Sequence, residues 1–134
     1  MRALSWRLIL AAAAAACGSG GDRASPSLLE QGRLYTSWLY GREYQKLWDR
    51  FSPDMRQTFG GVSDLAAFAG RSVARLGTEQ GALGERVSDI APFQVYQRTA
   101  AFGPTRRPML IEWSLAQNGE VTGFVLRPVP SDLR

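Results

Sequence analysis

Residues 109–127 read MLIEWSLAQNGEVTGFVLR, and the period of this stretch decides the fold class. Met109, Ile111, Trp113 and Leu115 share one face, while Glu112 and Ser114 lie on the other, which is the alternation of a strand with one buried side. Asn118–Gly119 is a hairpin signal, because both residue types tolerate positive φ. Val121 to Arg127 then returns as the partner strand. Pro128 and Pro130 close the domain at its edge, since proline has no N–H to give to a ladder.

Upstream, Phe93–Phe102 is rich in Val, Tyr, Thr and Phe and reads as another strand, with Arg86–Ala91 a weaker candidate before it. Earlier still the period lengthens. Leu28, Leu29, Leu34, Tyr35, Trp38 and Leu39 recur at near-helical spacing up to Gly41, and Glu43 to Phe51 carries Tyr44, Leu47, Trp48 and Phe51 on one face. Ser52–Pro53–Asp54 has the chemistry of a helix start: a side-chain cap, proline in the first turn, and an acid near the positive helix end. That helix stops at Gly60–Gly61. Ser63 is expected to cap a further one, with Leu65, Phe68, Ala69, Val73 and Leu76 as its stripe and Gly77 as its end. Helices first and a meander afterwards predict a segregated α+β domain over residues 28–130, its helices packed on a curved antiparallel sheet of about four strands, with residues 131–134 as a tail.

Ahead of the domain, residues 1–16 have the parts of an export signal: Arg2 and Arg7, an apolar run from Leu8 to Ala16, and small residues at Ala14–Ala16. The run is short of the roughly 20 residues that cross a membrane. Cys17 is the sole cysteine. Its place just after small residues resembles the lipobox of bacterial lipoproteins, although Ala14 stands where that family usually has Leu. The resemblance implies an acylated Cys17 and membrane anchorage at the periplasmic face or cell surface, with Gly18 favouring the outer membrane of a two-membrane cell. The alternative is a secreted chain cut at the same bond and left with a free thiol. Residues 18–27, GSGGDRASPS, read as a flexible tether.

Composition removes several functions. The chain has no histidine, which takes away the commonest general base and transition-metal ligand and the Ser/His/Asp arrangement. Lys and Arg total 16 against 12 acids, and two of the arginines lie in the leader. That near-balance, with Arg106–Arg107 an isolated basic pair, argues against nucleic acid as a partner. No cofactor motif or metal-loop spacing is present.

The runs GREYQKLWDRFSPDMRQTFG, VSDLAAFAGRSVARLGTEQG, VYQRTAAF and IEWSLAQNGEVTGFVLRPVP carry a resemblance to a domain of uncharacterised function with the nuclear-transport-factor-2-like (cystatin-like α+β) fold. Its marks here are Phe51–Ser52–Pro53, Leu76–Gly77, Tyr96–Gln97–Arg98, and Asn118–Gly119 through Phe124 to Pro128. The resemblance implies a sheet wrapped into a cone around a helix. It also implies an accessory role, because relatives often precede a β-lactamase or penicillin-binding-protein type of serine hydrolase. Ser-x-x-Lys, Ser-Asp-Asn and Lys-Thr-Gly, the signatures of that hydrolase, are absent.

Within the domain, Trp38, Tyr40, Tyr44, Trp48, Phe51, Phe68, Tyr96 and Trp113 form core or line a ligand cone. Tyr96 and Trp113 are the best lining candidates, each having a polar handle. Arg98 and Glu112 lie within apolar strand patterns and are expected to face each other as a cross-strand ion pair, structural or at the mouth of the cone. Tyr96, Arg98, Glu112 and Trp113 are thus the candidate ligand-binding residues. The expected function is a non-catalytic binding or scaffolding module at the cell envelope, anchored in membrane lipid through Cys17 and meeting an envelope protein or a small apolar ligand. The competing expectation is a small hydrolase or isomerase using Glu112 as base and Tyr96 as acid.

Overall fold

The computed structural model describes residues 26–130; the signal segment, Cys17, most of the tether and the tail lie outside the described residues. The helices are α1 Leu28–Tyr40, α2 Tyr44–Arg50, α3 Pro53–Phe59 and α4 Val62–Leu76. The strands are β1 Glu79–Ile90, β2 Phe93–Phe102, β3 Arg107–Leu115 and β4 Val121–Pro128. They form one antiparallel sheet in the order β1-β2-β3-β4, left open at both edges. The architecture is therefore α+β, with the helices against one face.

Local chemistry sets the helix ends. Ser27 caps α1 in a capping box: its Oγ accepts from the Glu30 N–H at 3.3 Å, and the Glu30 carboxylate accepts from the Ser27 N–H at 2.7 Å. Ser52 caps α3, accepting from the Met55 N–H at 3.3 Å, with Pro53 at the first helical position. Ser63, expected as the cap of α4, lies inside that helix instead. Gly60 at φ 80° turns the chain, Gly61 becomes the cap in an extended conformation, and the helix starts at Val62.

The face of the sheet under the helices carries Tyr96 and Ala100 of β2, Ile111, Trp113 and Leu115 of β3, and Val121 of β4, all buried. Tyr35 and Leu39 of α1, Leu47 of α2, and Leu65 and Ala69 of α4 pack onto them. Gly32 lets α1 pack directly against the Tyr96 ring of the sheet. A Cβ there would lie 2.1 Å from Cγ of the Tyr96 ring, so the ring occupies the space that a side chain would take.

Two details depart from the sequence reading. β1 begins at Glu79, well before Arg86, and its register with β2 slips between Glu79 and Gly81 and again between Ala82 and Gly84. The β3–β4 turn is longer than a two-residue Asn–Gly hairpin. The Ala116 N–H donates to the Glu120 carbonyl and the Gly119 N–H to the Ala116 carbonyl, each at 2.9 Å. Only Gly119 has positive φ, at 84°, whereas Asn118 uses its side chain to accept from the Glu120 N–H at 3.0 Å.

Candidate functional site

Of the concave regions among the described residues, two lie beside the helices at opposite ends of the core, one charged and one apolar. The charged one lies where α1 crosses β1 and β2. Arg33, Thr36 and Tyr40 fall at i, i+3 and i+7, so α1 presents them along one stripe. Across from them stand Glu79 and Glu85 of β1, and Tyr96 and Arg98 of β2. All of these except Glu85, which lies just beside it, border a cleft of about 340 Å³.

Arg98 sits between the two carboxylates. Its Nη1–H donates to Glu85 Oε1 at 3.0 Å and its Nε–H to Glu79 Oε2 at 3.3 Å, while its Nη2–H reaches Glu79 Oε1. Arg33 clasps Glu85 from the helix side, with Nη2 2.6 Å from Oε2 and Nε 3.1 Å from both oxygens. The Tyr96 hydroxyl donates to Glu85 Oε1 at 2.6 Å and the Tyr40 hydroxyl to Glu79 Oε2 at 2.7 Å. Two arginines and two glutamates thus cancel, and both tyrosine hydroxyls are committed to carboxylates.

The electrostatics follow from these bonds. Hydrogen bonds from Arg33 and then Tyr96 hold the Glu85 carboxyl down at about 2. Burial pushes Glu79 up, but the bonds from Arg98 and Tyr40 together outweigh it and leave its carboxyl below the ordinary range. Burial, and then the bond to Glu85, push the Tyr96 hydroxyl up to about 12. Tyr40 moves in the same direction for the same two reasons, with Glu79 as its acceptor. Both acids are therefore held ionised and both phenols protonated, which is the arrangement of a fastening between β1 and α1.

The four sequence candidates separate in this frame. Tyr96 and Trp113 are directly opposite each other across β2 and β3 and share the helix-facing side, and Arg98 lies on that side too. Glu112 does not. It pairs with Gln97, while Arg98 pairs with Ile111, so the expected Arg98–Glu112 ion pair is absent. The reason is parity: an even-numbered residue of β2 stands opposite an odd-numbered one of β3, so Arg98 and Glu112 point to opposite faces. Glu112 instead ends an outer-face ladder in which Arg86 donates to Gln97 Oε1 at 2.7 and 3.1 Å and Gln97 Nε2–H donates to Glu112 Oε2 at 2.6 Å. The same parity separates Glu112 from Tyr96, so the base-and-acid pairing of those two has no geometry behind it.

Trp113 spends its polar handle internally. Its Nε1–H donates to Thr36 Oγ1 at 3.0 Å, and the Thr36 hydroxyl donates to the Gly32 carbonyl at 2.8 Å. Its ring meets Tyr35 edge-on at 5.9 Å and Phe124 at 4.5 Å. The sequence reading missed Glu79, Glu85 and Arg33. A signal for Arg33 existed in its helical spacing from Thr36 and Tyr40, but Glu79 and Glu85 stand in a stretch without any period.

Phe124 leads to the second region. Beyond it, a groove of about 810 Å³ opens between β4 on one side and α3 with α4 on the other. Met55, Phe59 and Phe68 make its helical wall and Phe124, Val125 and Leu126 its strand wall. Phe68 is 45% exposed and Val125 38%. Both are large apolar groups left at the surface facing this one groove. Compared with family models, curated proteins and solved structures, the chain finds no match in any of the three.

Proposed function

We propose that the chain is an exported, membrane-anchored lipoprotein whose α+β domain is a non-catalytic binding module, with the groove between α3, α4 and β4 as its ligand site. The groove carries this reading. It is apolar, it opens to solvent, and it exposes Phe68 and Val125, which the core leaves unused.

The charged cleft supports a structural role. A general acid or base works best with a pKa near the operating pH, and Glu85, at about 2, is moved the other way. The leader and Cys17 support export and acylation, and the order of helices before an antiparallel meander suits the nuclear-transport-factor-2-like cone. From that resemblance comes the partner class, an envelope serine hydrolase of the β-lactamase or peptidoglycan-directed type, to which this domain is accessory.

Titration with an environment-sensitive apolar dye such as anilinonaphthalene sulfonate tests the groove. Saturable binding is expected, lost in Phe68→Glu and kept in Ile90→Glu, since Ile90 is an exposed apolar residue of β1 away from the groove. Equal loss in both variants, or no saturable binding, would overturn the groove as the ligand site.

A further inference from the structure

We propose that the groove takes an extended peptide, which adds to β4 as a fifth strand and sets a basic side chain against Asp64. This inference rests on the groove being the binding site and concerns what fills it.

The geometry of the lining carries the argument. Gly123, Phe124, Val125 and Leu126 are consecutive residues of β4, and all four line the groove. Successive residues of a strand point to opposite faces of the sheet. A depression that touches both parities therefore runs along the strand's edge, where the backbone itself is accessible. β4 pairs with β3 on one side only. On its other side the backbone contact among the described residues is at the start of the strand, where the Ser52 N–H donates to the Val121 carbonyl at 2.9 Å. From Gly123 onward β4 has no backbone partner on that side among the described residues, which leaves alternate N–H and C=O groups for an added strand.

The two edges of the sheet differ in a way that singles out β4. β1 is broken by two register shifts and carries Glu79, Glu85, Arg86 and Asp89, the irregularities and charges that keep other strands from pairing. β4 has its irregularity opposite Ser114 and Leu115 and then runs in continuous register from Gly123 to Pro128. Its Gly123–Leu126 stretch bears no charge. The Gly123–Leu126 edge, uncharged until Arg127 and Pro128 end it, offers main-chain bonds for affinity beside an apolar wall with pockets for alternate side chains, which is how strand addition recognises peptides.

The occupant follows from these surfaces. Four strand residues at about 3.3 Å each span about 13 Å, so the site takes a segment of four to six residues. Side chains of one parity meet Phe59, Phe68 and Phe124, and those of the other lie beside Val125. Asp64, in the first turn of α4, is the one charged residue lining the groove, and it makes no salt bridge among the described residues. A lysine or arginine in the segment complements it.

The test is a random decapeptide library panned on the purified protein, followed by resynthesis of the best binder with alternate backbone amides N-methylated. Enrichment of alternating apolar residues with a Lys or Arg is expected. Methylation of one parity should weaken binding by about tenfold or more, the loss of a few main-chain bonds, and methylation of the other parity by under about threefold. Phe68→Glu should abolish binding and Asp64→Asn should reduce it by about threefold, both with unchanged far-UV circular dichroism. Binders lost in Phe68→Glu but indifferent to methylation of either parity would overturn strand addition and leave the groove as the site. Binders unaffected by Phe68→Glu would overturn both readings, and a library that yields no binder would overturn this one.

Discussion

Gly32 and Thr36 show how much of this core is decided by single positions on one helical stripe. Mid-helix glycine costs about 1 kcal/mol relative to alanine, so propensity alone favours Gly32→Ala. Packing reverses the sign. The new methyl would meet the Tyr96 ring at 2.1 Å, and that ring is held from its far end by the 2.6 Å bond to Glu85. Gly32→Ala is expected to destabilise the protein by about 3 kcal/mol, measured by urea unfolding, through overpacking that the ring cannot relieve. Thr36→Val tests the neighbouring polar contact. It keeps the shape but leaves the Trp113 N–H buried without its 3.0 Å acceptor, an expected loss of about 1–3 kcal/mol. A destabilisation in Thr36→Val below a few tenths of a kcal/mol would mean that Trp113 finds another acceptor.

At the scale of the element, β1 is the strand most dependent on charge. Most of its residues are half or fully exposed, so little apolar burial holds it, and Glu79 and Glu85 fasten it to α1 and β2 instead. The folded Glu85 pKa of about 2 lies below its ordinary 4.5, so the fastening contributes fully above about pH 4.5 and is lost as pH falls toward 2. Tyr96 works in the other sense. Its pKa is raised from 10 to about 12, so its contribution is full below pH 10 and is lost as pH rises through 12. Urea midpoints are therefore expected to be flat between these limits and to fall on both sides. Glu85→Gln should lower the plateau by about 1–2 kcal/mol, a figure kept small because Arg33 is more than half exposed, and should flatten the acid limb. An unchanged acid limb in Glu85→Gln would refute the fastening. The same exposure explains what the sequence concealed. β3 was legible from its alternation, β2 from its composition and β4 as the return after Asn118–Gly119, while α1 was legible from its apolar spacing and α3 from its cap. β1 has Gly81, Gly84 and bulges in place of a pattern, so its first half, and with it both site carboxylates, could not be read. Arg98 and Glu112 were each visible as unusual residues, but their relation depended on a register that no local signal reveals.

For the whole molecule, the first described residues lie beside the β3–β4 turn. Gln31 Nε2–H donates to the Pro26 carbonyl at 2.8 Å, and the Gln31 side chain lies against Gly119, whose carbonyl accepts from the Tyr35 hydroxyl at 2.8 Å. The ten residues from Cys17 to Pro26 make nine steps, which would reach about 30 Å if fully extended. If Cys17 is acylated as proposed, the domain would stay within that distance of the lipid. Because the capping box that starts α1 is made by Ser27 and Glu30 alone, anchorage and folding are expected to be separable. The mature protein from a membrane fraction is expected to show a mass increase of acyl size. Cys17→Ala should lose that increase and its membrane retention together while keeping the wild-type urea midpoint. An unmodified chain in the soluble fraction would remove the anchor and leave a freely secreted domain. A shifted midpoint in Cys17→Ala would mean instead that the leader or tether packs on the domain, and the separation of anchor from fold would fail.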